Sequence, residues 1–345
     1  MADMDLSDRS RNILKAIIQS YITTAEPVGS RTITKRYEFG ISPATVRNIM
    51  ADLEEMGFLA QPHTSAGRIP TDKAYRFYID TLLEIKSLPV QQEREIMNYP
   101  LPTEDFSHMM QETTKLLSGL SHYAGIVMAP KPAETVYKHI EFVRLSGMRA
   151  LAIFVSSSGI VHNRIIHLEE DLTQRDLEQI SAFLNREMSG KTLREIRSRL
   201  LAMMEEEKNK YTSLLARLMK VWQESVPEVA QEAELFIGGM SEIFNIPDFK
   251  DIERMKELFR AFEEKHRLIQ ILDKAMEAEG VQVFIGSENT FFEMQGVSIV
   301  VASYRGEGNV IGTLGVIGPS RMPYNKVIPL VDCTAKVIGR LMSER

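Results

Sequence analysis

The chain has 345 residues, of which 44% are apolar and 26% charged, enough for two or three domains with buried cores. Its longest apolar runs, such as Val297-Ser298-Ile299-Val300-Val301-Ala302, are strand length and fall far short of the roughly 20 residues a membrane span needs. The acidic start, Met1 to Asp5, has no apolar stretch and is not expected to be a signal peptide, while the single cysteine, Cys333, excludes an internal disulfide and suits a reducing cytoplasm.

The net charge of −6 argues against nucleic acid, because binding phosphate requires cations. The basic residues are concentrated, however. Between Ser30 and Arg47 stand Arg31, Lys35, Arg36 and Arg47 against the lone acid Glu38, while the acids cluster at Glu169-Glu170-Asp171, Glu205-Glu206-Glu207 and Glu263-Glu264. A basic module on an acidic body would orient the protein on a polyanion and limit indiscriminate binding.

In chain order, Ile13, Leu14, Ile17, Ile18 and Tyr21 form the apolar stripe of a first helix. Ser30 is expected to cap a second, Arg31 to Tyr37, with Ile33 inward. Glu38-Phe39-Gly40-Ile41 is a turn in which Gly40 takes a positive φ. Ser42 and Pro43 then open a third helix as N-cap and first residue. Val46, Ile49, Met50 and Leu53 give that helix a buried face. Ala44, Arg47, Asn48 and Ala51 repeat on the opposite side and leave it small, polar and basic.

That is the arrangement of a recognition helix. The two alanines let the backbone sink into a major groove. Arg47 suits guanine O6 and N7, Asn48 suits adenine N6 and N7, and Ser42 and Thr45 suit phosphates or bases at the helix N-terminus. Arg31, Thr32, Lys35 and Arg36 on the second helix are candidate DNA contacts. Phe58–Gln61 and Arg68–Pro70 read as two short strands flanking a wing loop, where His63, Thr64 and Ser65 are further candidates. Arg68, beside a flexible Gly67, is expected to reach an adjacent minor groove. Thr71 caps the next helix. Three-helix units also serve as plain scaffolds; the cap, the outer face, the local charge and a wing in the right order favour DNA.

Residues 87–103 read as an irregular linker framed by Pro89, Pro100 and Pro102. A helix over about 104–120 follows, then strands at Tyr123–Met128, Tyr137–Leu145, Ala150–Val155 and Val161–Leu168. Residues 171–279 read as helical, with capped starts at Thr173 and Thr192. Strands return at Val281–Gly286, Val297–Tyr304 and Val310–Ile317, and an amphipathic helix over about Tyr324–Met342 closes the chain. The expected fold is α+β and multidomain: a winged helix-turn-helix over 1–86, an α/β domain in two parts over 104–170 and 280–345, and a mainly helical insertion over 171–279. In the insertion, Tyr211, Leu214, Leu218 and Trp222 lie on the seam of one long helix, which suits packing within the chain or a dimer interface.

No catalytic, cofactor or metal site is expected. His162 and His167 fall on opposite faces of one strand, no His-x-x-x-His pair occurs, and no phosphate loop or nucleophile elbow is present. Cys333 reads as a small core residue. The Ser156–Gly159 tract beside His162 and Asn163 reads as a hairpin turn sooner than a pocket wall, so no obligatory small-molecule ligand is expected.

The chain resembles the heat-inducible transcription repressors called HrcA. The resemblance rests on Glu26-Pro27-Val28-Gly29-Ser30-Arg31, Ile41-Ser42-Pro43-Ala44-Thr45-Val46-Arg47-Asn48, Thr64-Ser65-Ala66-Gly67-Arg68-Ile69-Pro70-Thr71, Ala74-Tyr75-Arg76 and Thr313-Leu314-Gly315-Val316-Ile317-Gly318-Pro319. It implies a homodimeric, cytoplasmic repressor on an inverted-repeat operator of chaperone operons, released on heat shock and assisted by the GroE-type chaperonin. It also implies that the α/β domain is GAF-like and the insertion dimerising. The alternative is a winged-helix factor whose GAF-like domain senses a small metabolite.

Overall fold

The computed structural model describes residues 6–63, 66–85, 87–102, 106–129, 136–157, 161–168, 170–192, 195–196, 198–199, 221, 234–244, 246, 265–276, 278–286, 296–306 and 309–343. Three helices come first: α1 (Asp8–Thr24), α2 (Ser30–Arg36) and α3 (Pro43–Glu55). Ile13, Leu14, Ile17 and Ile18 of α1, Ile33 of α2, and Val46 and Leu53 of α3 are fully buried together. A two-stranded antiparallel ribbon, β1 (Leu59–Ala60) and β2 (Ile69–Pro70), follows as the wing. Helix α4 (Asp72–Phe77), capped by Thr71 as expected, runs into a π-helical turn over Tyr78–Leu82. One cap differs from the reading. Gly29, not Ser30, precedes α2, and no side chain caps that helix.

The segment read as an irregular linker contains an eight-residue helix, α5 (Val90–Met97). Its Ile96 is buried among Leu116, Leu330 and Val337, and Leu88 and Tyr99 pack against the same cluster, so the connection is anchored to the body. Next come α6 (Phe106–Ser121) and β3 (Ala124–Met128), every residue of which is buried. The strands β4 (Tyr137–Leu145), β5 (Arg149–Ser156) and β6 (Val161–His167) form their own antiparallel sheet, and α7 (Gln174–Met188) lies across it. Thr173 caps α7 in a full capping box with Asp176.

The remaining described elements are β7 (Leu235–Gly238), α8 (Met240–Phe244), α9 (Lys265–Met276), β8 (Val281–Ile285), β9 (Val297–Gly306), β10 (Asn309–Pro319) and α10 (Tyr324–Ser343). They complete a five-stranded antiparallel sheet in the order β7-β3-β10-β9-β8. Helices cover both of its faces, which is why Val297–Ala302 is an apolar run interrupted only by the buried Ser298 instead of an alternating one. Val300 and Ala302 pack toward α6 and α10, and Ile299 and Val301 toward α8 and α9.

This strand pairing differs from the sequence reading in two places. The strands over 137–167 do not join the sheet of β3; with α7 they enclose a separate core of Tyr137, Phe142, Phe154, Leu177, Ile180 and Leu184. Leu235–Gly238, inside the stretch read as helical, is an edge strand beside β3. Four residues are too few to show a period of two, so no alternation announced it.

Helix α6 sits directly on β3 and β7. A Cβ at Gly125 would lie 2.2 Å from the Thr114 carbonyl oxygen. Gly125→Ala is therefore expected to destabilise by about 1–3 kcal/mol through overpacking, read as a lower thermal midpoint. An unchanged midpoint would contradict this close approach.

Candidate nucleic-acid interface

The third helix carries the interface because its cap fixes where it begins. Ser42 Oγ accepts from the Thr45 amide at 3.2 Å, and Ser42 and Thr45 hydroxyls lie 3.0 Å apart. Behind them, Gly40 adopts φ +65° and the rings of Tyr37 and Phe39 stack at 5.7 Å, closing the turn from α2. With Val46, Met50 and Leu53 buried, Ala44, Arg47, Asn48 and Ala51 all face solvent. Arg31, Thr32, Lys35 and Arg36 are exposed on α2, and Ser42 and His63 are exposed as well, while Thr45 is half-buried. Arg36 Nη1 donates to Ser20 Oγ at 3.4 Å, which draws that guanidinium toward α1. Thr64 and Ser65 lie outside the described residues, as do Tyr211, Leu214, Leu218 and Trp222.

The wing departs from the reading at Gly67 and Arg68. Val28 and Arg68 exchange backbone hydrogen bonds, each of 2.9 Å, so the connection before α2 pairs with the wing. A Cβ on Gly67 would stand 2.6 Å from the Val28 carbonyl. Glycine is required here for close backbone approach, not for flexibility. Arg68 Nη2 is held 2.7 Å from Glu54 Oε2, with both side chains mostly shielded. The guanidinium therefore folds back onto α3 instead of extending toward a groove. Wing and recognition helix are joined by an ion pair that the sequence did not signal, since its members are 14 residues apart and on different elements.

The end of α3 is held from α4. Lys73 Nζ donates to the Met56 carbonyl at 2.7 Å and lies 4.6 Å from the centre of the Phe58 ring. Thr71 Oγ1 donates to the Gly57 carbonyl at 2.7 Å. Sequence reasoning also missed Lys73, although a signal existed. A lysine in the first turn of a helix faces the positive end of its dipole, and such a cation needs a partner elsewhere.

Among the described residues no cluster of three or more His, Cys, Asp or Glu side chains is placed to hold a metal ion. Burial beside Glu93 and Asp332 pushes the Cys333 thiol above its usual range, which keeps it protonated. Among the described residues no helix is long and apolar enough to cross a membrane.

A helix-turn-helix with a polar, basic outer face and a paired wing defines a winged-helix DNA-binding regulator. Residues 5–82 match the family described as winged helix-turn-helix transcription repressor, HrcA DNA-binding, and residues 107–328 match the HrcA protein C-terminal domain. The chain is 49% identical over 339 residues to the heat-inducible transcription repressor HrcA of Geobacter sulfurreducens, covering 98% of each chain. It is 40% identical over 343 residues to the repressor of the same name from Syntrophobacter fumaroxidans, covering 99% of this chain and 98% of the other. The crystal structure of a hypothetical protein, 22% identical and covering 99% of both chains, shares the fold with a TM-score of 0.65. The chain belongs to the HrcA family of heat-inducible transcription repressors.

Gly67→Ala must push the wing off the Val28 backbone while leaving every outer-face residue of α3 in place. Fluorescence anisotropy with labelled duplex DNA is expected to show clearly weaker binding at unchanged helix content. Undiminished affinity would mean that the wing's seat is irrelevant to binding.

Proposed function

We propose that this chain is a dimeric repressor of chaperone operons that binds an inverted-repeat operator and leaves it on heat shock. The exposed Ala44, Arg47, Asn48 and Ala51 face of α3, opposite its buried stripe, carries this reading. Two such helices would enter successive major grooves, about 34–36 Å apart or a multiple of that, and read a pseudo-palindrome. Arg47 pairs with guanine and Asn48 with adenine. Ala44 permits close approach, and Arg31, Thr32, Lys35, Ser42 and Thr45 meet the backbone. Arg36, drawn toward Ser20, lies at the margin of that set, and His63, Thr64 and Ser65 form the wing tip. Arg68 is reassigned from minor-groove contact to holding the wing. The body is a GAF-like domain, a reading supported by its five-stranded sheet with helices on both faces. Action in the cytoplasm at the nucleoid, without catalysis, and assistance by the GroE-type chaperonin follow from the family resemblance.

Self-association is supported by the face of the β4-β5-β6 sheet turned away from α7. Val143, Val161 and Ile165 there are 39%, 57% and 55% exposed, and the register sets Val143 and Ile165 on either side of Leu151. A continuous apolar row on an open sheet suits a second copy better than water. One feature favours the metabolite-sensing alternative. A cleft of about 580 Å³ opens between Leu120–Tyr123, Glu242 and the start of α10, and its wall includes Arg321, which also donates to the Ile22 carbonyl of α1 at 3.1 Å.

Duplexes selected from a random pool by the full chain are expected to converge on an inverted repeat. Binding should be lost when the mixture is warmed, not when small anions are added at constant temperature and constant ionic strength. Arg47→Ala is expected to cost about 1–3 kcal/mol and relax one base position in each half-site. An unchanged base preference would remove Arg47 from the reading set, and release by an anion alone would favour the alternative.

Changing Ile165 to Lys places a charge on the open sheet face without touching the DNA module. Sedimentation is expected to show a smaller species, with weakened binding to the two-half-site duplex and little change on a single half-site. An unaltered oligomeric state would exclude this face.

A further inference from the structure

Helix α4 is only six residues long, yet it is bonded on two sides. Toward the recognition helix stands the Lys73 ammonium, 2.7 Å from the Met56 carbonyl. Toward the sheet, Arg76 Nη2 donates to the Val283 carbonyl of β8, and Tyr75 and Tyr324 rings lie 6.3 Å apart. The Asp72 carboxylate fills the space where a side chain at Gly286 would stand, 2.2 Å from an added Cβ. The last turn of α3 contains no basic residue of its own. The Leu53 and Glu54 carbonyls are closed by the Phe58 and Gly57 amides, which leaves the Met56 carbonyl, at the negative end of the dipole, for a cation from outside the helix.

We infer that Lys73 is a positioning residue for DNA recognition. It fixes the C-terminal end of α3 from α4, and Arg76 fixes α4 to the sheet, so the body of the protein sets the pose of the recognition helix. This rests on the operator-binding reading above. An exposed lysine in a basic DNA-binding module would ordinarily be taken for a phosphate contact. The two roles leave different signatures. Losing a phosphate contact lowers the slope of log affinity against log salt by about one, whereas losing a positioning contact weakens binding and leaves the slope alone.

The test uses the full chain and the duplex that the wild-type protein selects from a random pool, with an unrelated duplex of equal length as reference. Lys73→Met keeps the apolar stem over Phe58 and removes the donor. Affinity for the selected duplex is expected to fall roughly three- to tenfold with an unchanged salt slope. Amide exchange in the last turn of α3 should quicken. Lys73→Gln, which keeps a donor without the charge, should lie between, and Lys73→Arg should restore most of the binding. Arg76→Met should weaken binding in the same slope-neutral way. Lys35→Ala serves as the contrast, with its slope reduced.

A reduced slope in Lys73→Met or Lys73→Gln would make Lys73 a phosphate contact and overturn the inference. Unchanged affinity in both would overturn it as well. Absence of salt-dependent duplex binding by the wild-type chain would overturn the operator reading itself, an outcome distinct from either.

Discussion

The Met56 carbonyl, at the exit of the recognition helix, is held by a lysine from a helix whose other side is bonded to the central sheet. Most of what makes the module readable as one piece converges on that short helix. Thr71 caps it and at the same time holds the Gly57 carbonyl; Tyr75 enters the core that α10 also fills. The apolar cluster beneath the DNA module continues without a break into the sheet, from Ile17 and Leu53 through Tyr75 to Tyr324 and Val300. A winged module on a loose tether would present its face in many orientations. Here the face belongs to the body.

On the proposed reading, the same continuity would give heat a route to the DNA. Tyr324 stands at the start of α10 with its hydroxyl 2.8 Å from the Ser320 carbonyl and 3.0 Å from Ser298 Oγ, fully enclosed. Burial pushes its phenol well above the usual range, so the group donates and never ionises at physiological pH. Polar networks of this kind are costly to open partway. Loosening around Tyr324 and β8 would remove the floor on which α4 rests, and α4 holds the exit of α3 through Lys73, while α1 and α2 pack along its length. On the proposed reading, stress on the body would reach the recognition helix without any change to the residues that face DNA.

How far the sequence spoke depended on the range of the interaction involved. The α3 faces, the Ser42 and Thr71 caps and the Gly40 turn were legible because each is settled within a few residues by periodicity or capping chemistry. The resemblance then supplied the family, which periodicity never does. Contacts between distant elements were silent. Glu54 gave no hint that it holds Arg68, and Gly67 was read as flexible because nothing local shows the Val28 backbone pressing on it. β4 to β6 were recognised as strands, but pairing is a choice among partners, and alternation does not name the partner. Ile96 hid in a proline-framed stretch because it, Leu88 and Tyr99 are too widely and unevenly spaced to show a period.

The central claim is that the recognition helix and the sheet edge at β8 form one cooperative unit through α4. Hydrogen exchange followed along a temperature ramp, with operator occupancy recorded in parallel, tests it most directly. The account predicts that amides of the last turn of α3, of α4 and of β8 lose protection over the same interval, and that the operator is released within it. Loss of protection in α3 while β8 stays closed, or release of the operator with both still protected, would contradict it.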